Sequence, residues 1–328
     1  MRYVLAIYLP ISLVADGVAL PRDTLPPNLS LQAIPLGLDS ERVIPPDNPL
    51  TEAKVKLGRR LFFDPILSVD GSVSCASCHH AEHGFSSPTR FGTGVGGKST
   101  TRNPPALLNR AYGKVFFWDG RETTLEAQSL RPIADPSEMG GTVESAVTRL
   151  QESKSYQAEF AGAFPDGITA TNLGRALASF ERVLLLGDSR VDRFHAGETK
   201  TLNERELHGL WLYESKGRCW RCHSGRNFTD ESFHNTGVNW GKNPVDLGRY
   251  AATKLEADRG RFKSPTLRGL TRSAPYMHDG SLATLEEVVE FYNGGGVKNP
   301  NLDPIVKPLE LSKDEKANLV AFLKALSD

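Results

Sequence analysis

The sequence predicts a mainly helical protein made of two halves, and three observations lead to this expectation. Apolar residues recur every three and four positions in several segments, whereas the alternation that is typical of strands is sparse. One short motif, C-x-x-C-H, occurs at 75–79 and again at 219–223. At 328 residues, 39% of them hydrophobic, the chain is long enough to bury two medium cores. We therefore expect two domains, 51–190 and 191–328, with a seam near 188–200.

Residues 1–19 have the pattern of a secretory signal peptide. The basic residue Arg2 precedes an apolar run that ends at Ala15, and small residues at 17–19 suit a peptidase, so we expect cleavage near Ala19. A buried first strand or an uncleaved anchor is the alternative. Because no later segment has the apolar length that crosses a bilayer, the mature protein is expected in the periplasm without a membrane span.

The charge composition excludes one class of partner. Lys plus Arg and Asp plus Glu number 39 each, and no long basic run stands out. A nucleic-acid surface normally needs clustered positive charge, so we expect no nucleic-acid partner.

Local patterns predict the elements in chain order. Residues 20–50 contain seven prolines and little periodicity, so they should form an extended leader on the surface. Thr284 with Glu287, and Ser312 with Glu315, make capping boxes that begin the last two helices. Helices are expected at 51–63, at 142–154, at 171–187, at 202–215, from 284 to the glycines at 294–296, and at 312–326.

The two C-x-x-C-H motifs use all four cysteines of the chain. Two C-x-x-C pairs can hold zinc in a four-thiolate site, but zinc does not require a histidine directly after each pair. The spacing is typical of covalent haem c attachment, in which the thiols add to the haem vinyl groups and the histidine binds the iron. We therefore predict two covalently bound haem c groups in two cytochrome c-like domains packed across a shared interface. The expected ligands are Cys75, Cys78 and His79 for the first haem, and Cys219, Cys222 and His223 for the second.

The sixth iron ligand decides whether a haem carries electrons or activates a small molecule. For the second haem, the helix that begins near Leu285 places Tyr292 on its apolar face. Periodicity by itself favours a core tyrosine, and Met277 and His278 are rival ligands. The pattern therefore leaves a phenol, a thioether and an imidazole as candidates.

Four further motifs give the sequence a specific resemblance: FFWDGR at 116–121, PSEMG at 136–140, FHNTG at 233–237 and APYMHDGSLATLEEVV at 274–289. Together with the haem motifs, and in this order, they resemble the bacterial dihaem cytochrome c peroxidase and MauG superfamily over nearly all of 51–328. The resemblance implies that the first haem reacts with hydrogen peroxide. It also implies that the second haem stores or relays electrons.

The resemblance assigns roles to residues around the first haem. Trp118 matches the family's tryptophan between the two haems, where an aromatic ring offers a route for an electron. Glu138 matches the distal acid, which moves protons while the O–O bond of peroxide is cleaved. Gln128 and Pro132 match neighbouring positions of the same distal pocket.

The resemblance also implies a calcium ion between the haems and two histidines near the second haem. The family's calcium ligands are an Asn side chain and backbone carbonyls, which match Asn103, Ser273 and Pro275. Oxygen donors suit calcium, although Asn103 before a proline is explained equally by turn chemistry. His234 and His278 match positions where we expect hydrogen bonds to the haem or its ligand, and no contact with iron.

Two departures from conventional dihaem peroxidases indicate the MauG-like branch. The loop at 84–105 lacks the histidine that caps the reactive iron in conventional members, so the first haem should be open. Tyr292 stands where those members have a methionine ligand, and a phenolate stabilises higher iron oxidation states. We therefore expect an enzyme that uses hydrogen peroxide to store two oxidising equivalents across its haems. It would modify tryptophan in a partner protein by long-range electron transfer through Trp118.

Two other functions stay open at this point. A conventional dihaem cytochrome c peroxidase would reduce hydrogen peroxide with electrons from a small cytochrome c or cupredoxin. A plain dihaem electron carrier would not react with peroxide, because both of its irons would have two protein ligands. Trp211, Trp220 and Trp240 are candidate exit points for the oxidising equivalent, although haem packing or core burial accounts for each of them as well.

Overall fold

The computed structural model describes residues 22–25, 29–31 and 33–327, and these are mainly helical, as the sequence predicts. The predicted signal peptide lies outside the described residues. None of the helices in this part of the chain is both long and apolar enough to span a bilayer. The α-helices are α1 (Glu52–Phe63), α2 (Leu125–Ala134), α3 (Val143–Glu152), α4 (Lys154–Ala163), α5 (Ala170–Glu181), α6 (Arg190–His195), α7 (Glu204–Glu214), α8 (Tyr250–Thr253), α9 (Leu285–Asn293) and α10 (Lys313–Ala325). The strands β1 (Phe233–His234) and β2 (Phe262–Lys263) pair antiparallel, with His234 opposite Phe262.

Helices with local capping signals agree best with their predictions. Thr284 with Glu287 caps α9, and Ser312 with Glu315 caps α10, both through reciprocal capping boxes. Helices α1, α3 and α7 also lie within predicted segments. The sequence patterns miss four helices. Of these, α6 and α8 are short, α2 contains an interior Pro132, and α4 has only two large apolar side chains, Tyr156 and Phe160.

The prediction of one helix over 171–187 is wrong at its C-terminal end. Helix α5 ends at Glu181, and the following segment pairs instead with Asn109. The Asn109 backbone N–H donates to the Leu184 carbonyl at 2.9 Å, and its side chain bonds the N–H and carbonyl of Leu186 at 2.8 and 2.9 Å. Because these backbone groups already have tertiary partners, they cannot continue the helix.

Two hydrophobic cores lie in the two halves of the chain. The first joins α1, α3, α4 and α5 through buried side chains such as Leu61 and Phe160. The second joins α7, α9 and α10 through side chains such as Leu212 and Phe322. Each fully buried side chain of this size contributes about 2 kcal/mol to stability. The exact domain seam, near 188–200, stays a prediction.

The leader is bonded to both halves where the structure describes it. Residues 33–50 have no helix or strand. The Leu36 carbonyl accepts from the Asp188 N–H at 2.8 Å. The Gly37 carbonyl accepts from the guanidinium of the buried Arg268 at 3.0 Å. The leader therefore contacts residues from each of the two predicted domains.

Candidate dihaem site

The first C-x-x-C-H motif forms a 3₁₀ turn over Cys75–Ser77. The His79 backbone N–H donates to the Cys75 carbonyl at 3.0 Å, which closes the turn. The Nδ1 atom of His79 lies 2.8 Å from the Phe85 carbonyl, which can only accept, so Nδ1 carries the proton and Nε2 is left for a metal. Burial lowers the pKa of His79 to about 4, which keeps the imidazole neutral as a metal ligand must be.

The second motif repeats this geometry. It forms a 3₁₀ turn over Cys219–Arg221, and the His223 backbone N–H donates to the Cys219 carbonyl at 2.9 Å. The Nδ1 atom of His223 lies 3.2 Å from the carbonyls of both Phe228 and Pro265. Burial lowers the pKa of this histidine as well. Both motifs therefore present a neutral imidazole with Nε2 free.

The cysteines fit haem attachment and do not fit one shared zinc site. All four are free thiols, and three of them line two different cavities. Cys78 lines a cavity of about 740 Å³, whereas Cys219 and Cys222 line a second one of about 210 Å³. A Cβ atom at Gly92 would come within 2.7 Å of the Cys78 sulfur, so this glycine leaves room for the thiol. Four zinc-bound thiolates must converge on one point, which these do not do.

The residues with predicted distal roles converge on the first cavity. Gln128 and Pro132 lie on α2, Glu138 lies in the turn after it, and Trp118 precedes it. All four line the cavity together with His79. Within the described chain, His79 is the only histidine in that lining.

Glu138 is half-buried in the turn that follows α2. Its backbone N–H donates to the Asp135 carbonyl at 3.0 Å, and its own carbonyl accepts from the Val95 N–H at 2.8 Å. Burial, together with the negative charge of Asp135, raises the pKa of Glu138 to about 7. A carboxyl group with this pKa can both take up and release a proton near neutral pH.

Trp118 lines both cavities and is held by contacts on several sides. Its indole Nε1 donates to the Asn103 carbonyl at 2.9 Å, and its backbone carbonyl accepts from the Lys263 N–H at 2.8 Å. The ring centroid lies 6.4 Å from that of His278, edge-on, and His278 stacks on Phe262 at 3.5 Å. An aromatic side chain is therefore shared by the two sites. Its role as an electron relay stays a prediction.

All three rival ligands for the second iron line the second cavity. Tyr292 extends from α9, and Met277 and His278 come from the loop before it, in the same cavity as His223. The Nε2 atom of His278 is buried without a hydrogen-bond partner among the described residues. Burial raises the pKa of the Tyr292 phenol, so a phenolate forms there only beside a positive charge such as a metal ion.

His234 lies next to the second motif with both ring nitrogens engaged. Its Nδ1 is 2.7 Å from an Asp303 carboxylate oxygen, and its Nε2 is 2.9 Å from one of Asp230. The Cys222 sulfur and these two carboxylates raise the pKa of His234 to about 10. The thiol is consumed when a thioether forms, but the carboxylates stay. Because both nitrogens donate to carboxylates, His234 has no lone pair free in this arrangement, although Cys222, Asp230 and His234 lie close enough together to hold a metal ion.

The three residues expected to bind calcium all line the first cavity. The Asn103 amide nitrogen donates to the carbonyls of Thr89 and Arg90, each at 3.1 Å. Backbone and amide oxygens are donors that calcium prefers, so the surroundings of Asn103, Ser273 and Pro275 fit this ion. Calcium binding stays a prediction.

The sequence patterns miss the charged residues that join the two halves beside these cavities. Arg102 forms ion pairs with Asp119 and Asp246, both at 2.7 Å. The partners Arg102 and Asp246 are 144 residues apart in the chain. Local periodicity carries no signal for a pair so distant in sequence.

The same attachment turn occurs twice, each time beside a cavity, and the two cavities share a tryptophan. This is the arrangement of a dihaem c-type protein of the peroxidase class. The relationship to known proteins agrees with this class. The chain belongs to the di-haem cytochrome c peroxidase and MauG family, whose members are oxidoreductases with two haem c groups. Enzymes of this family use peroxide and redox partner proteins.

Three kinds of relative support this assignment. The family model for di-haem cytochrome c peroxidase matches residues 52–200. Methylamine utilization protein MauG of Methylorubrum extorquens is 42% identical over 284 residues, 86% of this chain and 80% of that protein. Cytochrome c551 peroxidase of Nitrosomonas europaea is 37% identical over 83% of this chain and 79% of its own length. A crystal structure of a MauG-like protein associated with microbial copper homeostasis has a TM-score of 0.82 and 33% identity, covering 93% of this chain and 96% of the other.

Proposed function

We propose that this chain is a periplasmic MauG-like enzyme that uses hydrogen peroxide to oxidise tryptophan in a partner protein over a long distance. The observation that carries the proposal is the position of Tyr292, which is half-buried in the lining of the same cavity as His223. A phenolate ligand favours the oxidised states of iron, as an enzyme that stores oxidising equivalents requires. The absence of a second histidine from the described lining of the first cavity supports an iron that is open to peroxide.

The two haems, when bound, would supply the redox chemistry by accepting two oxidising equivalents from peroxide and passing them on. The chain's own residues supply the proton transfers. Glu138 takes the proton from the near oxygen of hydrogen peroxide and returns it to the far oxygen, which leaves as water. Conversion of one peroxide to two waters consumes two electrons and two protons. Both electrons come from the partner's tryptophan, and the protons come from that indole and from solvent.

Gln128 and Pro132 shape the space beside Glu138. Both lie on α2, one turn apart, and both line the first cavity. Because Pro132 has no N–H, the Gln128 carbonyl loses its usual helical donor, while the Gln128 amide offers N–H groups to a peroxide oxygen. These residues are therefore suited to orient peroxide, with Glu138 as the proton carrier.

Trp118 is proposed as the relay between the haems because it alone among the tryptophans lines both cavities. Of the candidate exit points, Trp211 and Trp220 are 56% and 43% exposed, and Trp240 is half-buried. Trp220 lies between the two cysteines of the second motif, so a partner that docks on it comes close to the second haem. We therefore propose Trp220 as the exit point.

The proposed partner is another exported protein with an oxidisable tryptophan. The relatives point to two settings for such a protein. One is methylamine utilization, in the case of MauG of Methylorubrum extorquens. The other is copper homeostasis, in the case of the structurally similar MauG-like protein. The product of a neighbouring gene is the first partner to test.

Stoichiometric hydrogen peroxide added to the ferric holoprotein tests the proposal. It should change the visible spectrum, and mass spectrometry should then find oxidised tryptophan in the partner. Tyr292→Phe should abolish partner oxidation, because the second iron loses its phenolate ligand. A spectrum that peroxide leaves unchanged would rule out both enzymatic functions and leave the electron carrier.

One observation favours the conventional peroxidase as the second candidate. Met277 lines both cavities, so a thioether is also present beside each haem site. In that case reduced cytochrome c or a cupredoxin would supply the electrons. Rapid oxidation of reduced cytochrome c that is lost in Met277→Ala and kept in Tyr292→Phe would favour this alternative. The MauG-like proposal predicts the reverse sensitivity.

A further inference from the structure

The two cavities share a small part of their lining, and one member of that part is charged. Besides aromatic and aliphatic side chains, the shared residues include a single ionisable cation, Lys263 on β2. The residues that line both cavities are Trp118, Lys263, Pro265, Leu270, Tyr276 and Met277. Lys263 therefore lies beside both haem sites.

Lys263 belongs to a buried cluster of charged side chains. Glu231 accepts from Arg110 at 3.0 Å and from the Lys263 ammonium at 3.3 Å, and all three side chains are only 8–9% exposed. The nearby Asp230 carboxylate is already engaged at 2.9 Å by His234. Arg110 and Lys263 thus share the Glu231 carboxylate, so Lys263 has no carboxylate to itself.

A buried cation without a full partner is costly. Burial and the repulsion from Arg110 lower the pKa of Lys263 to about 8. Its ammonium makes two long hydrogen bonds, at 3.3 Å to Glu231 and 3.5 Å to the Ser264 carbonyl. An ammonium group has three N–H donors, so donor capacity is left for a further acceptor. The Lys263 ammonium can therefore donate to one more acceptor.

We propose that Lys263 is a carboxylate-binding residue shared by the two cavities, which receives propionate groups from both haems, with Arg110 beside it in the lining of the first cavity. Propionates are the ionised groups that a haem brings, and Lys263 lines both cavities. The Lys263 backbone N–H also donates to the Trp118 carbonyl, so the charge lies beside the aromatic ring that the two sites share. Lys263 is thus a positioning residue whose charge acts on the reduction potentials of both haems.

Spectroelectrochemical titration of the holoprotein tests this inference, with each haem followed by its own electron paramagnetic resonance signal. Lys263→Met keeps the aliphatic stem and removes the charge, so both midpoint potentials should fall, since loss of a nearby cation favours the more positive ferric state. Lys263→Arg should keep both potentials close to those of the parent. Lys154→Met, at an exposed lysine of α4, is the matched control and should change neither potential.

A shift in only one haem would overturn the shared site, and a shift in neither, or an equal shift in Lys154→Met, would overturn the role of Lys263. If Lys263→Met does not take up two haems, Lys263→Gln is measured instead. This variant retains an N–H donor and should show the same lowering of both midpoint potentials. These titrations use neither peroxide nor a partner protein. The inference rests on the two haems being present, so its outcome is separate from the outcome of the peroxide and partner experiments.

Discussion

Each cavity adjoins one copy of the C-x-x-C-H motif, but the side chains around the two copies differ. The first, about 740 Å³, includes charged side chains such as Arg102, Asp119 and Glu138 in its lining. The second, about 210 Å³, is lined mainly by apolar side chains, among them Val289 of α9 and Leu319 of α10. The motif determines where a haem is attached, whereas the lining determines which chemistry the site supports. A large cavity with charged side chains suits a small polar oxidant, and a small apolar cavity suits the storage of charge.

Removal of one cysteine pair at a time should separate the two sites most completely. The double variant Cys75→Ser with Cys78→Ser should lose the first haem and, with it, the whole spectral response to peroxide. Cys219→Ser with Cys222→Ser should keep a peroxide response and lose partner oxidation. Pyridine haemochrome assays should find one haem per chain in each variant. A peroxide response in the first double variant would contradict the assignment of the first cavity.

Substitution of Glu138 in the first cavity should have the next largest effect. Glu138→Gln removes the proton carrier and should slow the peroxide-induced spectral change by about 10²- to 10⁴-fold, the usual range for general acid–base catalysis. Stopped-flow absorbance measures this rate. Glu152→Gln, at an exposed acid of α3, is the matched control. Equal rates in the two variants would exclude Glu138 as the proton carrier.

The pH dependence of the same rate should follow the ionisation of Glu138. Burial raises its pKa to about 7, and only the ionised carboxylate can take a proton from peroxide. The rate should therefore rise with pH below about 7 and level off above it. Stopped-flow measurements across this range should show a flat profile in Glu138→Gln. A parent profile that is already flat would contradict the assignment.

The smallest expected effect concerns the glycine beside the first thiol pair. Gly92→Ala places a methyl group 2.7 Å from the Cys78 sulfur, so attachment of the first haem should become partial while the second is unaffected. Haem content per chain and peptide mass spectrometry measure the two occupancies. In Gly162→Ala, a Cβ would meet nothing within 4 Å, so both occupancies should stay full.

Where the signal is local, the sequence predicts the structure well. The capping residues Thr284 and Ser312 begin α9 and α10 as expected, because a cap depends only on residues three positions away. Tyr292 is predicted on an inner face by helical periodicity and lines a cavity. The prediction of one helix over 171–187 is wrong at its C-terminal end because Asn109, which is far away in sequence, forms hydrogen bonds with the backbone after Glu181.

The candidate site shows the same difference between features with a local sequence signal and features that depend on distant residues. Motifs predicted the residues of both attachment turns and the convergence of Gln128, Pro132 and Glu138 on one cavity. The cluster of Arg110, Glu231 and Lys263 had no sequence signal, since charge compensation arises only when distant segments fold together. The pairs in this cluster are 121 and 32 residues apart.

The hydrogen bonds of the leader have a consequence for electron transfer. The Leu36 carbonyl accepts a hydrogen bond from Asp188 in the first half, and the Gly37 carbonyl accepts one from Arg268 in the second half. Two adjacent residues of the leader therefore bind both halves. Electron tunnelling falls steeply with the gap between donor and acceptor. A chain shortened to begin after residue 50 would therefore keep every haem ligand and every proton carrier, yet exchange electrons between its two centres at an altered rate.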